Sequence, residues 1–449
     1  DACHVPVLAR RCSCGGATRE VPLTPPGDVR SAFPSDVETI NRIYADCFGA
    51  PLIPEGHLAL LNKVPDADRM EEVIVGGAVV GAVRYLPKIG RWEAIPRVSA
   101  LALMQPTRRV VTVDDGAVAS IREGASLLAP GLVAIDDAVA AGDEVFLIGR
   151  SGEAAGVGRA RFPAAEAREM KRGAIVRTRK NTSTPCIPGA AGWERAVEAN
   201  AAVLAGYELK AIEFVRETAE QHPLPPSVSY SGGKDSLAVL LVVCKAIGKV
   251  PLIFADSGLE FPETLANVEE VAARYGLPLE VARHGGKFWE FFEREGPPAI
   301  DARWCCAVCK LTPVNELIGE RFGECLSFIG QRRYESVRRA ASRRIWRNPK
   351  IPRQLAAAPL QHWTALHVWL YLFSQDAPYN RLYAEGLDRI GCFMCPASDM
   401  AVIERIRELH PDLWSSWEER LEAYRASRGL PPEWSREGLW RQRRGSSHG

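Results

Sequence analysis

The sequence predicts an α/β protein in several parts: a second half built on a parallel twisted sheet, preceded by a small α/β module and a small β-barrel. Three observations carry this. Residues 228–240 read Val-Ser-Tyr-Ser-Gly-Gly-Lys-Asp-Ser-Leu-Ala-Val-Leu, an apolar run into a diglycine and a Leu/Val-rich run out of it. That is a buried strand, a tight turn and the first turn of a helix. A second apolar run, residues 250–258, ends in Asp-Ser-Gly and reads as a second buried strand. Between residues 108 and 180, short apolar stretches alternate with glycines, the pattern of a small barrel.

At 449 residues the chain is long enough for several domains, each with its own core. Its composition, 47% hydrophobic and 25% charged, is that of an ordinary globular protein. The net charge of +1 means that any nucleic-acid contact must come from a local patch. There is no apolar run of about 18 residues and no signal-peptide pattern, so we expect a cytoplasmic protein without a membrane partner. The first residue is Asp1 rather than Met, and we expect further residues before it. The twelve cysteines are clustered, which favours metal or redox chemistry over a disulfide scaffold. Cys47, Cys186, Cys244 and Cys325 stand alone, and Cys244 reads as core.

Along the chain, residues 1–25 hold Cys3, Cys12 and Cys14, the last two in a Cys-x-Cys-Gly-Gly knuckle typical of a zinc ribbon. Zinc wants a fourth ligand; His4 is one candidate and a cysteine preceding Asp1 the other. Residues 26–107 read as a compact α/β module, with a helix from Ser35 to Phe48 and a hairpin through Gly76-Gly77. Residues 108–180 are the barrel, and 181–222 a linker with a lead-in helix. Residues 223–400 form the catalytic domain, and 401–449 a helical extension with a basic, fraying tail.

The chemistry concentrates in the catalytic domain. Gly232 and Gly233 let backbone amides approach an anion, the following helix N-terminus adds partial positive charge, and Lys234 adds a full one. Ser231 and Ser236 offer hydroxyls, and Asp235 suits orienting the loop or holding Mg²⁺. The spacing is not the Walker pattern. Ser-Gly-Gly-Lys-Asp-Ser instead resembles the pyrophosphate loop (PP-loop) of the adenine-nucleotide α-hydrolase superfamily, with its HUP-like sheet. That resemblance implies ATP cleavage between the α and β phosphates and adenylation of a substrate. Asp256 closes the second strand where a nucleotide or Mg²⁺ would lie, or else caps a turn.

Further motifs narrow the resemblance. Arg303-Trp304-Cys305-Cys306 leads to Cys309, Lys310 and Pro313, and Cys392-Phe393-Met394-Cys395 follows far downstream. Together they resemble the [4Fe–4S] ligand set of the adenylyl-sulfate reductase group, which implies Cys305, Cys306, Cys392 and Cys395 as ligands. Cys309 departs from that pattern. It leaves open zinc on Cys306, Cys309, Cys392 and Cys395, or a redox pair at Cys392 and Cys395. Gly330-Gln331-Arg332-Arg333-Tyr334-Glu335-Ser336 resembles an element of the phosphoadenylyl-sulfate (PAPS) reductase family, and its arginines, Arg332 and Arg333, suit an oxyanion. Pro359–Trp369 and Pro378–Tyr383 match family segments that read as architectural packing. The barrel resembles the PUA domain, which implies RNA binding, with Arg159, Arg161, Lys171, Arg172, Arg177, Arg179 and Lys180 as phosphate contacts.

Two departures steer the function. The family's reductases carry a catalytic cysteine near the C-terminus, whereas no cysteine follows Cys395 here. They also tend to have a degenerate phosphate loop, whereas this one is full. We therefore expect a PP-loop ATP pyrophosphatase that adenylates RNA, a tRNA, and transfers sulfur. Lys234, Asp235 and Cys309 would be catalytic, and a sulfur-donor protein or sulfide and a homodimer are expected partners. The alternatives are a sulfonucleotide reductase, a nucleic-acid-binding protein that has lost activity, and a small-molecule adenylating enzyme.

Overall fold

The computed structural model describes residues 1–179 and 184–442. Lys180 and the tail from Arg443 onward lie outside the described residues. The chain divides into two compact units, Asp1–Asn200 and Ala201–Gly449.

The first unit opens on a short turn in which Arg11 and Ala17 form an isolated bridge. A five-stranded antiparallel sheet follows in chain order, from β1 (Arg30–Ser31), β2 (Ala59–Val64), β3 (Met70–Val75), β4 (Ala78–Leu86) and β5 (Arg91–Pro96). Helix α1 (Pro34–Phe48) starts one residue earlier than its periodicity suggests, because Pro34 occupies the first helical position. Its Ile40, Ile43, Tyr44 and Phe48 fall on one face and are buried. The β3–β4 turn places Gly76 and Gly77 at φ +57° and +73°, which glycine adopts without strain.

The second sheet of this unit comprises β6 (Val110–Val113), β7 (Leu127–Leu128), β8 (Leu132–Ile135), β9 (Glu144–Gly149), β10 (Ala154–Ala160) and β11 (Ala174–Thr178). Its order is β7-β11-β10-β9-β6-β8, with β6 and β9 the parallel pair. Two short helices, α2 (Asp115–Arg122) and α3 (Ala164–Glu169), were not legible from strand periodicity. Asp114 starts α2 by accepting the Gly116 amide at 3.0 Å, so the chain leaves the strand there. The long helix α4 (Trp193–Gln221) runs from the end of the first unit into the second.

The second unit holds a six-stranded sheet, and its strands and helices alternate as a parallel sheet requires. They are β12 (Pro226–Ser229), α5 (Lys234–Ile247), β13 (Leu252–Asp256), α6 (Pro262–Tyr275), β14 (Leu279–Arg283), α7 (Lys287–Glu295), α8 (Trp304–Cys306), α9 (Thr312–Arg321), β15 (Cys325–Ile329), α10 (Val337–Ala340), β16 (Ile345–Asn348), β17 (Ile351–Ala357) and α11 (Ala365–Ser374). Helices α12 (Met400–Leu409), α13 (Pro411–Ser427) and α14 (Glu433–Arg436) form the C-terminal extension. The order is β14-β13-β12-β15-β17-β16, parallel except for the antiparallel edge strand β16. β12 and β15 are parallel neighbours, and the order in which strands are added reverses between them; a crevice opens at the carboxyl ends of strands at such a switch point. Helix α5 covers the sheet centre with Leu237 to Val243 buried all round. No helix of the described residues is long and apolar enough to cross a membrane.

Candidate active site

The loop after β12 and the loop after β15 meet at the switch point. Gly232 sits at φ +72°, and a Cβ there would lie 2.8 Å from the Thr264 methyl, so both conformation and space demand glycine. The Ser236 hydroxyl donates to the Gly233 carbonyl at 2.9 Å and accepts the Ser231 amide at 3.3 Å, folding the loop back onto the helix start. The Lys234 amide donates to the Tyr383 hydroxyl at 3.0 Å. The amides of Gly232 and Gly233 find no acceptor among the described residues, as suits an anion cradle at a helix N-terminus.

Charge in the loop is fixed from two sides. Asp235 accepts from Lys234 Nζ at 2.8 Å through one oxygen and from Arg332 Nε at 2.6 Å through the other. Burial opposes the carboxylate, but the Arg332 and Lys234 charges outweigh it and hold Asp235 down at about 2. Burial likewise opposes the Lys234 charge, and Asp235 outweighs it, so this lysine is held above its usual range. With both oxygens engaged, Asp235 orients the loop. Arg332 is buried and bound to the loop, whereas Arg333 is exposed. Asp256 forms a turn: one oxygen accepts the Gly258 amide at 3.0 Å and the other faces Arg283 at 3.2 Å.

The downstream cysteines gather near the neighbouring strand end. Cys305 and Cys306 lie on α8, which runs into a π-helical turn, Ala307–Leu311, ahead of α9. Such a turn shifts helical register and is frequent at functional sites. Cys392 and Cys395 form a knuckle in which the Cys395 amide donates to the Cys392 carbonyl at 3.1 Å, and the Phe393 amide donates to Leu259 at 3.0 Å. The knuckle is thereby tied to the loop after β13. Ser257 Oγ lies 3.6 Å from Cys392 Sγ, and Glu260 binds both Ser257 Oγ at 2.7 Å and Lys310 Nζ at 3.0 Å. The hydrogen bond from Cys305 pulls Cys306 down to about 6, with Lys310, Arg303 and Arg389 adding to it. Cys309 is 1% exposed, and burial pushes its thiol up to about 12.

The two cysteine groups differ in spacing. Cys3, Cys12 and Cys14 lie within 4.8 Å of one another, close enough for one tetrahedral ion. His4 is not part of that trio; its ring packs against Gly189, and its buried Nδ1 has no partner among the described residues. Among Cys305, Cys306, Cys309, Cys392 and Cys395 no three draw that close within the described residues. A tetrahedral zinc with sulfur at about 2.3 Å needs thiols roughly 3.8 Å apart. Lys310, Arg303 and Arg389 stand around the downstream group and favour thiolate at Cys306.

Comparison with known proteins assigns two parts of the chain to known domains. The family model for the phosphoadenosine phosphosulfate reductase domain matches residues 225–398. The family model for the PUA domain matches residues 109–181. An uncharacterized protein of Methanocaldococcus jannaschii is 39% identical over 455 residues, covering 98% of this chain and 94% of the relative. The chain belongs to the PAPS reductase family. An adenosine 5'-phosphosulfate reductase of Lysinibacillus sphaericus is 26% identical over 41% of this chain and 79% of its own length. A phosphoadenylyl-sulfate reductase structure from Candida auris covers 43% of this chain and 95% of its own, with a TM-score of 0.34 and 23% identity.

Within this PAPS reductase domain, several residues act at the site without having been singled out for it. Tyr383 and Asn380 come from the Pro-Tyr-Asn segment that the sequence reads as packing. Tyr383 takes the Lys234 amide, and Asn380 donates to Thr264 beside Gly232 at 3.0 Å. Glu335 fixes the Arg332 backbone through its amide at 2.8 Å. A segment that reads as aromatic packing gives no signal for a single hydroxyl at a distant loop. Tyr383→Phe leaves the buried Lys234 amide unpaired, which costs about 1–3 kcal/mol. We expect a lower denaturant midpoint for Tyr383→Phe than for the unchanged chain.

Proposed function

We propose that the chain is an ATP-dependent adenylating sulfurtransferase acting on RNA, a tRNA in the first instance, in the cytoplasm. The observation that supports this reading is the complete Ser-Gly-Gly-Lys-Asp-Ser loop, whose Lys234 amide is bound by Tyr383 and whose charge comes from Lys234, with the cysteine group at the adjacent strand end. Loop amides and Lys234 would bind the β and γ phosphates of ATP, with Mg²⁺ riding on the phosphate oxygens. A carbonyl oxygen of the base would attack the α phosphorus as the bond to the bridging oxygen breaks. Pyrophosphate leaves, and the charge it gains is stabilised by groups already in place. A sulfur nucleophile then displaces AMP from the carbon.

Cys305, Cys306, Cys392 and Cys395 would hold a [4Fe–4S] cluster, which supplies iron able to bind sulfur. Lys310 would balance its charge, and Glu260 would keep Lys310 in place. Sulfur would come from sulfide or a donor protein, since Cys309 at 1% exposure is closed to solvent. Cys3, Cys12 and Cys14 would hold zinc, and the PUA domain would hold RNA.

The test is pyrophosphate release from ATP by the full chain, with and without tRNA. Release that rises at least tenfold on adding tRNA supports the reading; equal release in both overturns it. A second reading, sulfonucleotide reduction, draws on the likeness to adenosine 5'-phosphosulfate reductases. It predicts sulfite from the sulfonucleotide and a thiol donor, with no need for ATP.

A further inference from the structure

Residues 333–353 carry eight Arg or Lys and one acidic residue, Glu335, a net +7 within a chain whose total is +1. The stretch begins one residue past Arg332, which holds the phosphate loop. It crosses α10 and returns along β16 and β17, so it follows the open edge of the sheet. Assembling like charges this densely disfavours the compact state through self-repulsion.

Counter-charges within the unit cover only part of the stretch. Arg339 pairs with Glu335, and Arg347 pairs with Glu324 at 2.9 Å. Arg344 lies over the Phe214 ring at 3.5 Å. Arg333, Arg338, Arg343 and Lys350 are exposed and have no ionic partner among the described residues. Val337 is 91% exposed beside them, an apolar side chain that the fold does not cover.

We propose that this basic ribbon is a docking track for the phosphate backbone of an RNA, leading the strand to the loop at Ser231–Ser236. The proposal rests on the RNA-sulfurtransferase reading and names how the catalytic unit itself takes hold of that substrate. Arg343 and Lys350 flank β16, whose four residues span about 13 Å, so the unpaired charges are spread along the edge rather than gathered in one spot. A line of charges fits a polyanionic strand better than the mixed surface of a folded acidic protein. Most of the charges are guanidinium groups, which bind phosphate bidentately. Tyr334 and Trp346 are half-buried among them and present ring surface on which unpaired bases stack.

The test compares the full chain with an Arg338→Ala, Arg343→Ala, Lys350→Ala variant, none of which touches the loop. Affinity for total tRNA is measured from about 50 to 200 mM salt, where each phosphate contact to a single strand contributes about 0.7 to the slope of log K against log salt. We expect the slope to become shallower by about 2 and affinity at the low-salt end to fall at least tenfold. The Arg338→Lys, Arg343→Lys variant, which keeps the charge, should retain the slope and control for folding. An unchanged slope and affinity in the alanine variant overturns the track, whatever acidic protein the ribbon then binds. Pyrophosphate release run in parallel separates the two readings. RNA-dependent release with no slope change sinks the ribbon alone. RNA-independent release with the slope change sinks the sulfurtransferase reading and keeps the ribbon.

Discussion

Arg332→Ala should be among the most damaging single changes in the second unit. Arg332 is 2% exposed, and it is the larger of the two charges that keep Asp235 ionised. Its loss leaves a buried carboxylate with Lys234 alone, and breaking a buried pair from one side costs about 3–5 kcal/mol. The phosphate loop would loosen with it, so pyrophosphate release should fall by at least two orders of magnitude, in line with losing a preorganised electrostatic contact worth about 3–4 kcal/mol. The pH dependence gives an independent check. Asp235 is depressed in the folded chain, so its stabilisation is fully present above the ordinary aspartate range near 3.9 and is lost as pH falls toward about 2. Without Arg332 the folded value rises, and the acid limb of the stability profile should flatten. Arg332→Lys should not rescue, because a point charge cannot hold Asp235 and reach the Trp363 carbonyl at 3.4 Å together. Wild-type stability and turnover in Arg332→Ala would show that the loop does not depend on this brace.

How far the sequence discloses the molecule depends on how local the cause is. The diglycine loop is legible because every feature it needs lies within six residues: the positive φ at Gly232, the hydroxyls that fold it and the helix that follows. The parallel sheet is legible from β13, whose Leu252 to Ala255 is a continuous apolar run, the mark of a strand buried on both faces, and from the Leu/Val-rich helix that follows the loop; β12 itself, Pro-Ser-Val-Ser, is short and mixed. Helix α2 is not, because a single Asp114 cap decides it against strand-like neighbours. Long-range partners are also invisible. Tyr383 lies 149 residues from the amide it accepts, and Arg332 lies 97 from Asp235. Sequence could name Arg332 as an oxyanion ligand but had no means of pairing it with Asp235. The thiols show the same limit from the other side. Motif spacing suggests which cysteines belong together, but only the fold shows that Cys3, Cys12 and Cys14 close to within 4.8 Å of one another while no three of the downstream cysteines do so among the described residues.

Gly330 tests whether the loop tolerates any displacement at all. This glycine directly follows β15 and lies against the first turn of α5; a Cβ built on it would stand 2.6 Å from the Ser236 nitrogen and 2.7 Å from the Asp235 carbonyl carbon. Both neighbours are backbone, so no side-chain rotation relieves the clash. The strand end or the helix start must move, and overpacking of this kind costs about 1–3 kcal/mol or more. The helix start carries Lys234 and Asp235, so a shift there moves the groups that would meet the phosphates. A misplacement of about 1 Å in positioning groups is enough to lower turnover about 100-fold. Gly330→Ala should therefore lose about two orders of magnitude in pyrophosphate release for a modest drop in Tm. Gly206→Ala is the matching control. That glycine lies within α4 with no atom within 4 Å of an added Cβ, and alanine there should raise stability by about 0.5–1 kcal/mol. If Gly330→Ala keeps full activity while Gly206→Ala behaves as expected, the contact between β15 and α5 is not what positions the phosphate loop, and Arg332 must hold it alone.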